Sequence, residues 1–179
     1  MTSLEVGTDT GTERSPDHPA EPVGFGTHDH ASCISDGLAQ AEAQCAAEGL
    51  RLTPVRRKAL EILLQEHRAL GAYDMLDRLR GAGFGSQPPV AYRALEFLVA
   101  NGFAHKIECL NAFIACAHPG ARHTPAFMIC RACESVAEAQ AAPARGSLGK
   151  AARATGFRIE RTVVEAEGLC PACQDGGAQ

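Results

Sequence analysis

The run Pro88-Pro89-Val90-Ala91-Tyr92-Arg93-Ala94-Leu95-Glu96-Phe97-Leu98-Val99-Ala100 decides the fold of this chain. Two prolines at its front preset helical φ and lack only N–H groups that a first turn leaves unpaired. Ala91, Leu95, Leu98 and Val99 then recur at helical spacing, and Asn101-Gly102 ends the run. The spacing predicts a helix with one buried face, and the opposite face carries Tyr92, Arg93 and Glu96.

Toward the N-terminus, residues 72–80 place Ala72, Met75, Leu76 and Leu79 on one side, and Gly81, Gly83 and Gly85 break the pattern. Before that, Thr53-Pro54 offers a capping residue and a first-turn proline to a helix that buries Val55, Ala59, Ile62 and Leu63. Residues 35–48 put Leu38, Ala41 and Cys45 at helical spacing ahead of Gly49. On the other side of the decisive run, residues 103–108 and 112–116 alternate with period two around Cys109-Leu110-Asn111, which predicts a hairpin. Three helices, the last two joined by a short glycine-bearing turn, followed by a hairpin, make a winged helix-turn-helix. Strands are expected at 126–130 and 135–139, a helix at 144–155 and a closing strand at 157–165. The fold class is therefore α+β, with a second, smaller domain after the winged helix.

The net charge of −4 conceals an asymmetry. Residues 1–50 hold nine acids against Arg14 alone, residues 51–106 hold nine Lys or Arg against five acids, and residues 107–179 hold seven of each. A basic middle segment in an acidic chain points to one polyanion-facing surface, unless it is a solvated helix face. Residues 1–32, rich in Gly, Thr, Pro, Asp and His, bury too little to offset ordering and are expected to form a disordered tail. No apolar run approaches the roughly 20 residues of a membrane span, and the N-terminus lacks the layout of a signal peptide, so a cytoplasmic protein is expected.

In a reducing compartment, eight cysteines are poor evidence for disulfides, and the four that stand in close pairs point to metal binding or redox chemistry. Cys130-Arg131-Ala132-Cys133 and Cys170-Pro171-Ala172-Cys173 are two knuckles separated by thirty-six residues. Each presents two thiolates to one tetrahedral ion, and together they close a Cys₄ zinc site with no position left for water or substrate. Such a site is structural, so neither an enzyme nor a small organic substrate is expected. Thioredoxin-like exchange needs only one knuckle. A zinc deaminase would need His-x-Glu upstream, and His105-Lys106-Ile107-Glu108 has the wrong spacing. Further candidate ligands flank the junction of the two domains: His105, Cys116, His118, His123 and Glu138. His28, His30 and Cys33 form a separate His-x-His-x-x-Cys group in the tail.

The stretches Arg51-Leu-Thr-Pro-Val-Arg, Ala72-Tyr-Asp-Met-Leu-Asp-Arg-Leu-Arg, the helix from Pro88 to Leu98, Gly102-Phe-Ala-His-Lys-Ile-Glu and Gly168-Leu-Cys-Pro-Ala-Cys occur in order. With them the chain resembles the Fur family of metalloregulators, and within it the zinc uptake regulators, over about residues 35–174. The resemblance implies a zinc-loaded homodimeric repressor of zinc-uptake genes that binds operator DNA through two winged helices. It divides the chain into a tail (1–32), a winged helix (33–108) with a hinge near 105–116, a dimerisation and metal-binding domain (117–174) and a short tail (175–179). It places a regulatory zinc on His105, Cys116, His123 and Glu138, and a structural zinc on Cys130, Cys133, Cys170 and Cys173. The donor chemistry agrees, since a thiolate with two imidazoles and a carboxylate is a tetrahedral zinc set, softer than the N/O sets that suit iron or manganese.

Two departures from the family pattern matter. The usual Thr-Val-Tyr-Arg is Val90-Ala91-Tyr92-Arg93 here, which loses a hydroxyl, and the loop from Cys116 to His123 differs in length, which leaves His118 as an alternative to His123. For DNA the resemblance implies that Arg93 contacts a purine, most simply guanine O6 and N7, with Tyr73 and Tyr92 close to the duplex. Arg51, Arg56, Arg57 and Lys106 are expected on phosphates, where they set position without reading sequence.

Overall fold

The computed structural model describes Phe25 and residues 30–175 except Ser86 and Arg122; the side chains of residues 30–33, 144 and 175 lie outside the described residues. Most of the predicted N-terminal tail, the last four residues, His28 and the side chains of His30 and Cys33 therefore lie outside the description.

Helix α1 (His30–Glu48) begins five residues before the sequence signal at Ser35. It is followed by α2 (Pro54–Leu64), α3 (Ala72–Gly81) and α4 (Pro88–Ala100). Proline opens α2 and α4 as expected, but the Thr53 side chain makes no capping hydrogen bond; only its carbonyl does, accepting from Arg57 N–H at 2.9 Å. The apolar stripes close on one core that includes Leu38, Ala41, Ala59, Leu63, Met75, Leu79, Ala91, Leu95 and Leu98. Ala94 takes the fourth buried place on α4, while Val99, expected inside, is 36% exposed.

Gly102 (φ +72°) turns the chain out of α4 into β2 (Ala104–Ile107), which pairs antiparallel with β3 (Ala112–Ala115). A two-residue strand β1 (Leu70–Gly71) completes the sheet in the order β1-β3-β2. This is the wing of a winged helix-turn-helix. Its other face does not meet water. Ile107 and Ile114 pack with Phe127, Ile129 and Val136, so an apolar weld joins the wing to the second sheet.

That second sheet has the order β5-β4-β6, from β4 (Pro125–Cys130), β5 (Val136–Gln140) and β6 (Val164–Gly168). β4 is central, antiparallel to β5 and parallel to β6. Helix α5 (Ser147–Thr155) ends on Gly156 at φ +70°, where Phe157 N–H donates back to Ala152 O at 2.8 Å. The closing strand lies later than its alternation suggested: residues 157–163 are outside any strand, and Phe157 and Val163 are exposed. A short helix, α6 (Pro171–Asp175), carries the second knuckle. A strap also ties the halves together. Val136 N–H donates to His67 O at 2.9 Å, and Arg68 is ion-paired with Glu134.

Candidate metal centres and DNA-facing helix

Two groups of candidate ligands converge, each with its ligand atoms within 4.8 Å of one another. The first joins the turn after β4 to the loop and helix after β6. β4 and β6 are parallel neighbours with Cys130 opposite Gly168, so their ends bring the two knuckles side by side. Cys133 and Cys170 sulfurs lie 3.7 Å apart, and Cys170 N–H donates to Cys130 Sγ at 3.3 Å. That bond, with the N–H groups of Cys133 and Ala132, holds the Cys130 thiol down to about 6. The Cys133 thiol is also lowered, first by Ser135, whose hydroxyl lies 3.1 Å away. Cys173, crowded by the other three sulfurs, is pushed up to about 12. Four thiolates cannot share this space without a cation, and a closed tetrahedral S₄ set is what a structural zinc ion takes. No disulfide joins Cys130, Cys133, Cys170 or Cys173.

The second group straddles the two halves of the molecule. His105 comes from β2, Cys116 from the end of β3, His123 from the loop that precedes β4, and Glu138 from the middle of β5. His123 Nε2 lies 2.8 Å from Glu138 Oε1, 3.3 Å from His105 Nε2 and 3.6 Å from Cys116 Sγ. Ligands at about 2.0–2.3 Å from one tetrahedral ion stand roughly 3.3–3.8 Å apart, so these separations fit with little rearrangement. Glu138 is only 3% exposed, a costly place for a carboxylate that has no partners. Burial pushes its carboxyl up, but His105 and the Ala117 N–H outweigh that and hold it below the usual range. Burial and the Glu138 charge raise the Cys116 thiol to about 12, so without a cation it keeps its proton at neutral pH.

The surroundings orient these ligands. Ala117 N–H donates to Glu138 Oε2 at 2.9 Å, and His123 Nδ1 lies 2.8 Å from Ala121 O, which turns Nε2 inward. Gln40 on α1 donates to Pro119 O at 2.6 Å and so holds the loop that bears both histidines; no pattern in the sequence marks this contact. His118 is different. Its backbone N–H donates to Cys116 Sγ at 3.4 Å, and its ring stacks edge-on to His123 outside the converging set. A cleft of about 950 Å³ lined by Gln44, Asn101, His105, Gly120, His123 and Thr124 opens beside the cluster.

On the helix-turn-helix, Tyr73 is 68% exposed at the start of α3, and Tyr92 and Arg93 are exposed on the first half of α4. Among the described residues no ion pair joins Arg93 to Glu96. The other basic candidates are more engaged. Arg56 stacks 3.8 Å over the Phe97 ring and donates to Arg51 O at 2.6 Å, Arg57 pairs with Glu42 at 2.7 Å, and Lys106 with Glu108 at 2.8 Å. Arg51 is exposed just before α2.

No family model matches the chain. The zinc uptake regulation proteins of Escherichia coli (strain K12) and Shigella flexneri are each 42% identical over 137 residues, which is 76% of this chain and 80% of theirs. Among solved structures, a zinc uptake regulator complexed with zinc and DNA matches with a TM-score of 0.77 at 39% identity, over 82% of this chain and 98% of that one. Holo XcZur matches with a TM-score of 0.70 at 40% identity, over 79% and 99%. With this identity over most of both chains, on a winged helix followed by a small sheet domain, the chain belongs to the zinc uptake regulation proteins of the Fur family.

Proposed function

We propose that this protein is a zinc-responsive transcriptional repressor that binds operator DNA as a zinc-loaded homodimer and controls zinc-uptake genes in the cytoplasm. The observation that carries the reading is the convergence of His105 and Cys116, from the wing, with His123 and Glu138, from the C-terminal half, on one point. These four residues would hold the sensed zinc, while Cys130, Cys133, Cys170 and Cys173 would hold the structural one. Zinc would supply positive charge that neutralises Glu138 and a deprotonated Cys116, and it would link the two halves. A thiolate among the donors favours zinc over iron or manganese.

Each residue then has a task. His105 and Cys116 carry the wing, Glu138 and His123 fix the C-terminal end of the same bridge, and Ala121 O and Ala117 N–H hold two of the ligands in register. With the halves fixed, α4 would enter a major groove with Arg93 on a base edge and Tyr73 and Tyr92 beside it, while Arg51, Arg56, Arg57 and Lys106 would lie along the backbone. Exposed Leu148, Phe157, Val163 and Leu169 supply apolar surface for pairing two copies through their C-terminal halves. Two copies would match a pseudo-palindromic operator. No described helix is long and apolar enough to cross a membrane. The test is a gel shift on the chain's own upstream region and on zinc-transporter promoters. Retarded DNA with zinc, lost on chelation, is expected, and binding indifferent to the chelator would contradict the reading.

A further inference from the structure

Besides the weld and the metal cluster, the wing is held at its far end. Glu165, the second residue of β6, sits opposite Phe127 of the central strand and reaches across to the turn between β2 and β3. Its two carboxylate oxygens accept from two successive backbone N–H groups, Glu108 at 2.6 Å and Cys109 at 2.9 Å. Arg161 crosses the same boundary and donates to Glu108 Oε1 at 2.8 Å, while Lys106 within the wing holds Glu108 Oε2. Burial raises the Glu165 carboxyl, but the Cys109 and Glu108 N–H groups hold it below the ordinary range, so it is ionised at neutral pH.

We infer that Glu165 is a positioning residue for DNA recognition: a carboxylate latch on the wing turn that, with the metal cluster, fixes the angle of the winged helix. The mechanical reason is simple. His105 and Glu108 are three residues apart on the wing, about 10 Å along an extended strand. The cluster and the apolar weld hold the strands of the wing at His105, Ile107 and Ile114, and the attachment at residues 108–109 extends that hold into the turn and resists its tilting away from the second sheet. Unlike the metal bridge, the latch needs no ion, so it limits how far the metal-free protein can open. It rests on the proposed function, because the angle matters only if the winged helix reads DNA in a zinc-dependent way.

The experiment compares the full chain with Glu165→Ala and Glu165→Gln, using amide hydrogen exchange at Glu108 and Cys109, zinc content, dimer mass and operator gel shifts. Loss of a charge-assisted hydrogen bond, roughly 1.5–3 kcal/mol, corresponds to a factor of about 10–150. Glu165→Ala should speed exchange at both amides by that order. At saturating zinc and unchanged zinc content it should weaken operator binding by about tenfold or more. Glu165→Gln, with one neutral acceptor, should lie between, and it serves if the alanine variant does not fold. Unchanged exchange, or faster exchange with wild-type operator affinity, overturns the latch alone. A parent chain without zinc-dependent operator binding overturns the functional reading, and the latch with it.

Discussion

Arg93 stands exposed on the first half of α4 with Tyr92 beside it, the part of a recognition helix that faces base edges. Arg93→Ala should cost about 1–3 kcal/mol on the cognate operator and relax preference at one position per half-site. Competition gel shifts against single-base operator variants read this directly; an equal loss on random DNA would make Arg93 a phosphate contact instead. In the loop, the two histidines separate by geometry. His123 Nε2 faces Glu138, His105 and Cys116, whereas the His118 ring stacks outside the set. His123→Ala should remove about one zinc per chain and zinc-dependent DNA binding, and His118→Ala should keep both. Elemental analysis and gel shifts on the pair decide it, and the reverse result would give the ligand position to His118.

Elements were legible in the sequence wherever their cause is local. Proline at a helix front, an apolar stripe at helical spacing and a glycine stop sit within a dozen residues of one another, so α2, α3 and α4 emerge where their patterns put them. Both knuckles are equally local, since two residues between cysteines suffice for a turn that aims both sulfurs at one point. What the sequence did not show was mostly non-local. The alternation of residues 157–165 predicts a half-buried strand, but pairing is decided by β4, whose parallel register accepts residues 164–168. The start of α1 at His30 was missed because residues 30–34 carry few large apolar side chains. Glu165 left no trace either, since a carboxylate that binds the backbone of a turn 57 residues earlier has no sequence signature. The same locality makes the Cys₄ site a staple between strand ends. About 10–16 kcal/mol of metal-linked folding energy is at stake there, so Cys130→Ser or Cys173→Ser should unfold or monomerise the C-terminal half. Light scattering and thermal melts with zinc analysis test this; a variant with wild-type zinc, dimer mass and melting would contradict it. In the weld between the sheets, fully buried Ile107 shortened to Ala should cost about 2–5 kcal/mol by denaturant unfolding, and a loss under 1 kcal/mol would mean the wing does not lean on the second sheet.

At the scale of the whole molecule, the proposed function rests on linkage between a metal and an angle. The winged helix meets the C-terminal half at the apolar weld, the Arg68–Glu134 strap, the Glu165 carboxylate and the His105, Cys116, His123, Glu138 cluster. Of these four attachments only the cluster would hold an ion, so under the proposed function it is the one that reports zinc. Moving an open-to-closed equilibrium from 1:99 to 99:1 takes about 5.5 kcal/mol of differential affinity, within the roughly 10–16 kcal/mol that a good zinc site offers. Phosphate contacts by the basic middle segment should also make operator binding fall steeply with salt, and a flat salt dependence would exclude DNA as the partner. The most direct measurement is operator binding by Cys116→Ser and by the unsubstituted chain across a buffered zinc series, with zinc content and dimer mass determined on each. Cys116 lies outside both knuckles, so the variant should stay folded and dimeric, hold about one zinc fewer per chain and bind no operator at any zinc level. A Cys116→Ser protein that keeps the parent's zinc midpoint for operator binding would contradict the account.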